Sequence, residues 1–193
     1  MLRSGIAALG VAIVSVLSAA PVAPAAAQKP ALLSFGVGQF DTNAIDTGSA
    51  GLYFDVGDKA GRKKATEARV EYRSGLELYS AGDWFSVRPF VGAATSADGM
   101  LYGLGGVLFD FTWGNFVFTP SFGAGLYSRG DGKDLGNAIE FRTMFEVGYR
   151  FDNAARVTAG FSHMSNANIG NKNPGSNSLM LYVHLPVNSL FGE

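Results

Sequence analysis

The sequence contains no cysteine, which excludes disulfide cross-links, thiolate nucleophiles and zinc–sulfur sites at once. It also lacks an excess of charge of either sign. Fifteen Lys and Arg stand against sixteen Asp and Glu, a formal net charge of -1, and this balance carries no electrostatic footprint for a nucleic acid. Histidine occurs twice, at His163 and His184. Beyond residue 27, no apolar run approaches the roughly 20 residues of a membrane-spanning helix.

The first residues, MLRSGIAALGVAIVSVLSAAPVAPAAAQ, carry Arg3, an apolar run from Ile6 to Leu17 and small residues ending at Ala27. That order predicts a secretory signal peptide over residues 1–27, cleaved after Ala27. The apolar run is too short for a retained spanning anchor. Removing it takes away Arg3 and no acid, so the formal charge moves from -1 to -2. Residues 28–193 then form one domain, a size that holds a sizeable core but not two comfortable ones.

What the chain has in abundance is glycine, at 26 residues, aromatic residues, at 12%, and strict alternation. In EARVEYRSGLELY (67–79), Glu67, Arg69, Glu71, Arg73 and Glu77 share one parity, and Ala68, Val70, Tyr72, Leu76 and Leu78 the other. A helix would scatter these charges, whereas a strand places all of them on one side. The pattern recurs and predicts eight strands, over 32–40, 67–80, 84–96, 99–112, 114–128, 137–151, 155–165 and 177–187. Residues 50–56 could add another, but bacterial barrels have an even number of strands, so this segment is assigned to the first long loop or to an extension of strand one.

Several of these strands run to 11–15 residues, beyond the usual length of about 5–6 in soluble sheets and enough to cross a bilayer when tilted. Mixed-sign charges on the opposite parity suit the narrow interior of a small closed barrel. The reading is all-β, an eight-stranded antiparallel transmembrane β-barrel with its apolar residues toward lipid. A soluble lipocalin-like barrel, which also alternates, is the competing architecture. Connections at 80–83, 112–114 and 152–154 are tight, as periplasmic turns are, while 41–66, 129–136 and 166–176 are longer and predicted to lie outside. The join near 96–98 is short for an outer loop.

The stretch GFSHMSNANIG (160–170) breaks the apolar rhythm. Val157, Ala159 and Phe161 have lipid-facing parity, and the same parity continues to His163 and Ser165. Two such positions lie about 6–7 Å apart along a strand, within reach for an imidazole and a hydroxyl near the outer end. The residues themselves leave two readings open: an outward-facing nucleophile and base, or the beginning of a polar loop.

FSHMSNANIG and NPGSNSL, with DGKDLGNAIEFR upstream, resemble the PagL family of outer-membrane lipid A 3-O-deacylases, most sharply over residues 121–186. The resemblance implies an eight-stranded barrel with a His/Ser/Glu triad on its outer surface, hydrolysing the ester-linked acyl chain at position 3 of lipid A. By matching positions, Ser165 is the nucleophile, His163 the general base and Asn166 an oxyanion donor. Asn177 stands where the family has the glutamate that orients the histidine.

No cofactor and no metal are implied. The partner is lipid A or lipopolysaccharide in the outer leaflet of a Gram-negative outer membrane, and a homodimer is admitted. The alternative is a weak or inactive barrel of the same family with a structural or lipid-binding role, because an acid-to-amide change in a serine triad can cost about 10⁴ in kcat. Glu140 and Glu146 have inward parity and do not replace the acid. His184 is read as an interior residue, and GLGG (103–106) as thin positions in a curved strand rather than a phosphate loop. Lys59, Arg62, Lys63 and Lys64 form a basic cluster in an outer loop, either solvated or in contact with lipid A phosphates.

Overall fold

Alternation writes itself directly into burial, with the polarity of a soluble protein reversed. The computed structural model describes residues 29–42 and 64–191. The signal segment, the 50–56 strand and Lys59, Arg62 and Lys63 lie outside the described residues. Ten strands, β1 (Leu32–Phe40), β2 (Ala65–Arg73), β3 (Tyr79–Ala81), β4 (Phe85–Ser96), β5 (Leu101–Trp113), β6 (Phe116–Phe118), β7 (Ser121–Ser128), β8 (Ile139–Arg150), β9 (Arg156–Ser165) and β10 (Ser176–Pro186), are followed by a short helix, α1 (Val187–Phe191). All pairings are antiparallel, and β1 bonds to both β2 and β10, which closes the sheet into a barrel. Joining β2 to β3 and β6 to β7 leaves eight staves, the number that the alternation predicts.

The two interruptions have different causes, and both involve proline. Pro120 cannot donate to a ladder, so the stave breaks between Phe118 and Ser121 without loss of register: Trp113 faces Phe116 and Leu108 faces Ser121. The other break departs from the predicted continuous strand over 67–80. Glu67 faces Ser96 and Tyr79 faces Val87, so thirteen residues on one stave match ten on β4. Three extra residues bulge out opposite Pro89, whose carbonyl accepts from the Ser74 N–H at 3.0 Å. An odd insertion reverses parity. Outward positions are even in β2 (Val70, Tyr72) and odd in β3, where Tyr79 is 60% exposed.

Inside, the charged parity is buried and, apart from Glu140, largely paired. Arg73 forks onto both oxygens of Glu146 at 2.8 Å and reaches Glu71 at 3.0 Å. Arg142 takes the other oxygen of Glu71 at 2.6 Å, Arg69 pairs with Glu67 at 2.7 Å, and Arg156 forks onto Asp110 at 2.7 and 2.9 Å. Matching and hydrogen bonding offset the cost of burying these charges in the lumen. His184 is fully buried among them, bonded to Ser34 and Thr158 and stacked on Tyr182, so its interior reading holds. Glu140 and Glu146 also face the lumen and are buried.

Toward the outer end the lumen becomes apolar. Phe40, Phe90, Met100, Tyr102, Leu104, Tyr127, Leu135 and Met164 form one buried cluster. Leu135 belongs to the 129–138 loop, so this plug holds an outer loop down over the barrel mouth. Outside, Phe35, Val91, Leu126, Phe145 and Leu181 are exposed, an apolar wall that only lipid accommodates. Aromatic rings gather at the opposite end, where Trp84, Phe85, Phe111, Trp113 and Phe116 pack ring against ring in sequence, as in the interfacial girdles of such barrels. Among the described residues no helix is long and apolar enough to cross a membrane; the crossing is made by strands.

Candidate active site

β9 leaves a periplasmic-type turn and climbs to the outer rim. Arg156, Thr158, Ser162 and Met164 turn into the lumen and are buried, whereas Val157 and His163 are exposed. Ser165, the next outward position, is half-buried at the strand's end. The next stave brings the third residue. Asn177 is the register partner of His163, and its Oδ1 lies 2.7 Å from His163 Nδ1. A carboxamide oxygen only accepts, so this bond requires the hydrogen on Nδ1 and leaves Nε2 as the basic nitrogen. That is the tautomer a general base for serine needs.

On its other side, Ser165 faces Phe141 of β8, and His163 faces Thr143. Phe141 stacks on Phe122 of β7, with centroids 6.1 Å apart. The polar pair therefore sits at the edge of a continuous apolar strip running down the wall. A polar constellation held against hydrocarbon is costly and usually functional.

Asn166, the expected oxyanion donor, has the opposite parity and is fully buried. Its Nδ2 donates to the carbonyls of Leu135 and Lys172, each at 2.8 Å, and its Oδ1 accepts from the Asn168 N–H at 3.0 Å. Its own backbone N–H goes to Asn173 Oδ1. The structure thus brings His163, Ser165 and Asn177 to one face and places the Asn166 side chain beneath them, fastening the 166–175 loop to the 129–138 loop. Asn173 and Gly175, both in that loop, escaped the sequence reading. The Pro174–Gly175 pair was the available signal, marking a turn beside the site.

The loops above the site are laced by charge. Lys172 reaches Asp134 at 2.8 Å, Arg129 reaches it at 3.5 Å, and Lys133 pairs with buried Asp41 at 2.6 Å. The Lys172 hydrogen bond, with a second from the Gly136 N–H, holds the Asp134 carboxyl below the usual carboxylate range. Among the described residues no group of three or more His, Asp or Glu side chains is placed to hold a metal ion.

Comparison with known proteins matches the sequence profile described as "Lipid A 3-O-deacylase (PagL)" to residues 69–186, more than half of the 193 residues. The chain belongs to the PagL family. Among solved structures it is similar to the outer membrane enzyme PagL, at 15% identity and a TM-score of 0.56, covering 81% of this chain and 99% of that one. It is also similar to Neisserial surface protein A (13% identity, TM-score 0.44, 81% and 96% covered) and to the Yersinia pestis outer membrane protein Ail (12%, 0.42, 81% and 100%). No curated protein matches. This PagL-family chain is a Gram-negative outer-membrane barrel.

Proposed function

We propose that this PagL-family barrel is a serine esterase that removes the ester-linked 3-O-acyl chain of lipid A in the outer leaflet. The observation that carries the reading is the 2.7 Å contact between His163 Nδ1 and Asn177 Oδ1 on the lipid-facing wall, with Ser165 at the next outward position. In the first step Ser165 Oγ attacks the ester carbonyl while His163 Nε2 takes its proton. The tetrahedral intermediate collapses, the 3-O oxygen leaves as an alcohol with the proton from Nε2, and the acyl group stays on Ser165. Water, deprotonated by Nε2, then releases the fatty acid and restores the serine. For Asn166 to serve the oxyanion, its Nδ2 has to exchange one loop carbonyl for the substrate oxygen. Phe141 and Phe122 offer the surface along which the acyl chain lies.

A second reading, a barrel of this family with only a structural or lipid-binding role, is favoured by Asn177, which cannot neutralise the imidazolium formed at each step. Purified full-length barrel, mixed with lipid A bearing a 3-O-linked 3-hydroxyacyl chain and followed by mass spectrometry, separates the two. The esterase reading expects loss of one acyl chain from wild type and none with Ser165→Ala. No loss from wild type, with activity appearing only in Asn177→Glu, establishes the second reading.

A further inference from the structure

Along the ladder between β9 and β10, Asn177 faces His163 and Ser176 faces Met164. The ladder ends at that pair, and Gly175 is the residue immediately outward of Ser176. Gly175 has φ +58°, a left-handed conformation that residues with a Cβ seldom adopt. A Cβ built on it would lie 2.9 Å from His163 Cε1 and 3.4 Å from Nε2, whereas carbon atoms in good contact are separated by about 3.5–4.0 Å. The Cε1–Nε2 edge of the imidazole therefore rests against the bare Cα of Gly175, while Nδ1 is held by Asn177. The two contacts divide the work. Asn177 fixes which nitrogen carries the hydrogen, and Gly175 fixes where the other nitrogen points. Gly175 lies outward of Asn177, the partner of His163, so the edge it receives is turned toward the outer end of β9, where Ser165 sits.

We infer that Gly175 is a positioning residue for the esterase chemistry: its missing side chain is the space that lets His163 lay Nε2 toward Ser165. This rests on the serine-esterase reading for its purpose, but the contact itself is independent of turnover. A methyl group at 175 pushes the ring away by a fraction of an ångström or more, and a displacement of about 1 Å in a catalytic group can cost roughly 10²-fold in rate.

The test compares Gly175→Ala and Gly175→Asn with Gly114→Asn. Asparagine tolerates positive φ, and Gly114 has φ +59° with nothing within 4 Å of the point a Cβ would occupy, so the control reports left-handed strain alone. Both Gly175 variants are expected to lower kcat by about 10- to 100-fold with KM nearly unchanged, and to unfold no more easily than Gly114→Asn. The side-chain ¹⁵N spectrum of His163 is expected to show an Nδ1-protonated ring in wild type and a changed signature in the variants. In wild type, a nuclear Overhauser contact between His163 Hε1 and the Gly175 Hα atoms is expected, and its absence overturns the inference whether or not the variants fold. Wild-type kcat and an unchanged His163 spectrum in Gly175→Ala also overturn it. A wild type without deacylase activity removes the esterase reading, and the two spectroscopic results then decide the Gly175 contact by themselves.

Discussion

Asn177 Oδ1 and His163 Nδ1 meet at 2.7 Å across the β9–β10 ladder, so an amide occupies the place from which an acid would orient and charge-balance the imidazole. The amide performs the first task and not the second. Asn177→Asp is isosteric and puts a carboxylate oxygen at the same point, which in the proposed mechanism stabilises the imidazolium formed when Ser165 loses its proton. The expected outcome is a rise in kcat, bounded by the factor of about 10⁴ that separates acid from amide in a serine triad, with little change in KM. Asn177→Leu removes the acceptor and is expected to fall below wild type. Steady-state deacylation in mixed micelles measures both.

The Asn166 side chain is buried beneath the site and joins two loops, so its removal acts on both of them. Asn166→Ala leaves the Leu135 and Lys172 carbonyls without their shared donor, at about 1–3 kcal/mol for the unsatisfied buried groups. Faster amide exchange is expected over both 133–137 and 166–175, with exchange in the β8 and β9 cores unchanged. If exchange rises only next to residue 166, the asparagine does not join the two loops.

Much of this arrangement is legible in the sequence because a membrane barrel sets its two faces in sharp chemical contrast. Parity alone puts Glu67, Arg69, Glu71 and Arg73 inside, Val70 and Tyr72 outside, and carries His163, Ser165 and Asn177 to the lipid face. What parity does not fix is register between staves. That His163 faces Asn177 rather than a neighbour follows from how many residues the 166–175 loop absorbs. The bulge before Tyr79 is opaque for the same reason, since its cause, Pro89, sits on the adjacent strand. Asn166 reads as a donor near the serine, yet its acceptors are carbonyls of residues 135 and 172, and backbone acceptors leave no mark in a sequence.

In the lumen, Arg73 forks onto Glu146 and also serves Glu71. Arg73→Met strands a buried carboxylate, and its expected cost is about 3–5 kcal/mol. Adding Glu146→Gln removes that stranded charge, so the double variant is expected to be more stable than the single one. Urea unfolding of the refolded barrel, arranged as a double-mutant cycle, reads the difference. A double variant as unstable as the sum of the two single variants would show that the pair is not coupled.

The Asp134 clasp on the outer loops has a definite pH sense. Lys172 first, and then the Gly136 N–H, depress the carboxyl below its ordinary 3.8, so its contribution is complete above that value and lost as pH falls through the lower folded value. Gly136, whose N–H donates to Asp134 Oδ1 at 2.9 Å, reports on it. Its exchange protection, corrected for intrinsic rate, is expected to stay flat at higher pH and to fall only below 3.8. Asp134→Asn keeps the acceptor but not the charge, and is expected to make that protection independent of pH.

Val91 and Leu101 are almost equally exposed, at 58% and 59%, and differ in depth: Val91 lies mid-strand in β4 and Leu101 at the outer end of β5. In water, an arginine at either would cost little and about the same. In a bilayer the cost depends on depth, about 2–4 kcal/mol for arginine near the midplane and about 0–1 near the interface. Val91→Arg is therefore expected to destabilise the barrel folded into lipid vesicles by that larger amount, and Leu101→Arg hardly at all. Equal small effects at the two positions would mean that the apolar wall is not immersed in hydrocarbon, and that Ser165 does not meet its substrate from the membrane side.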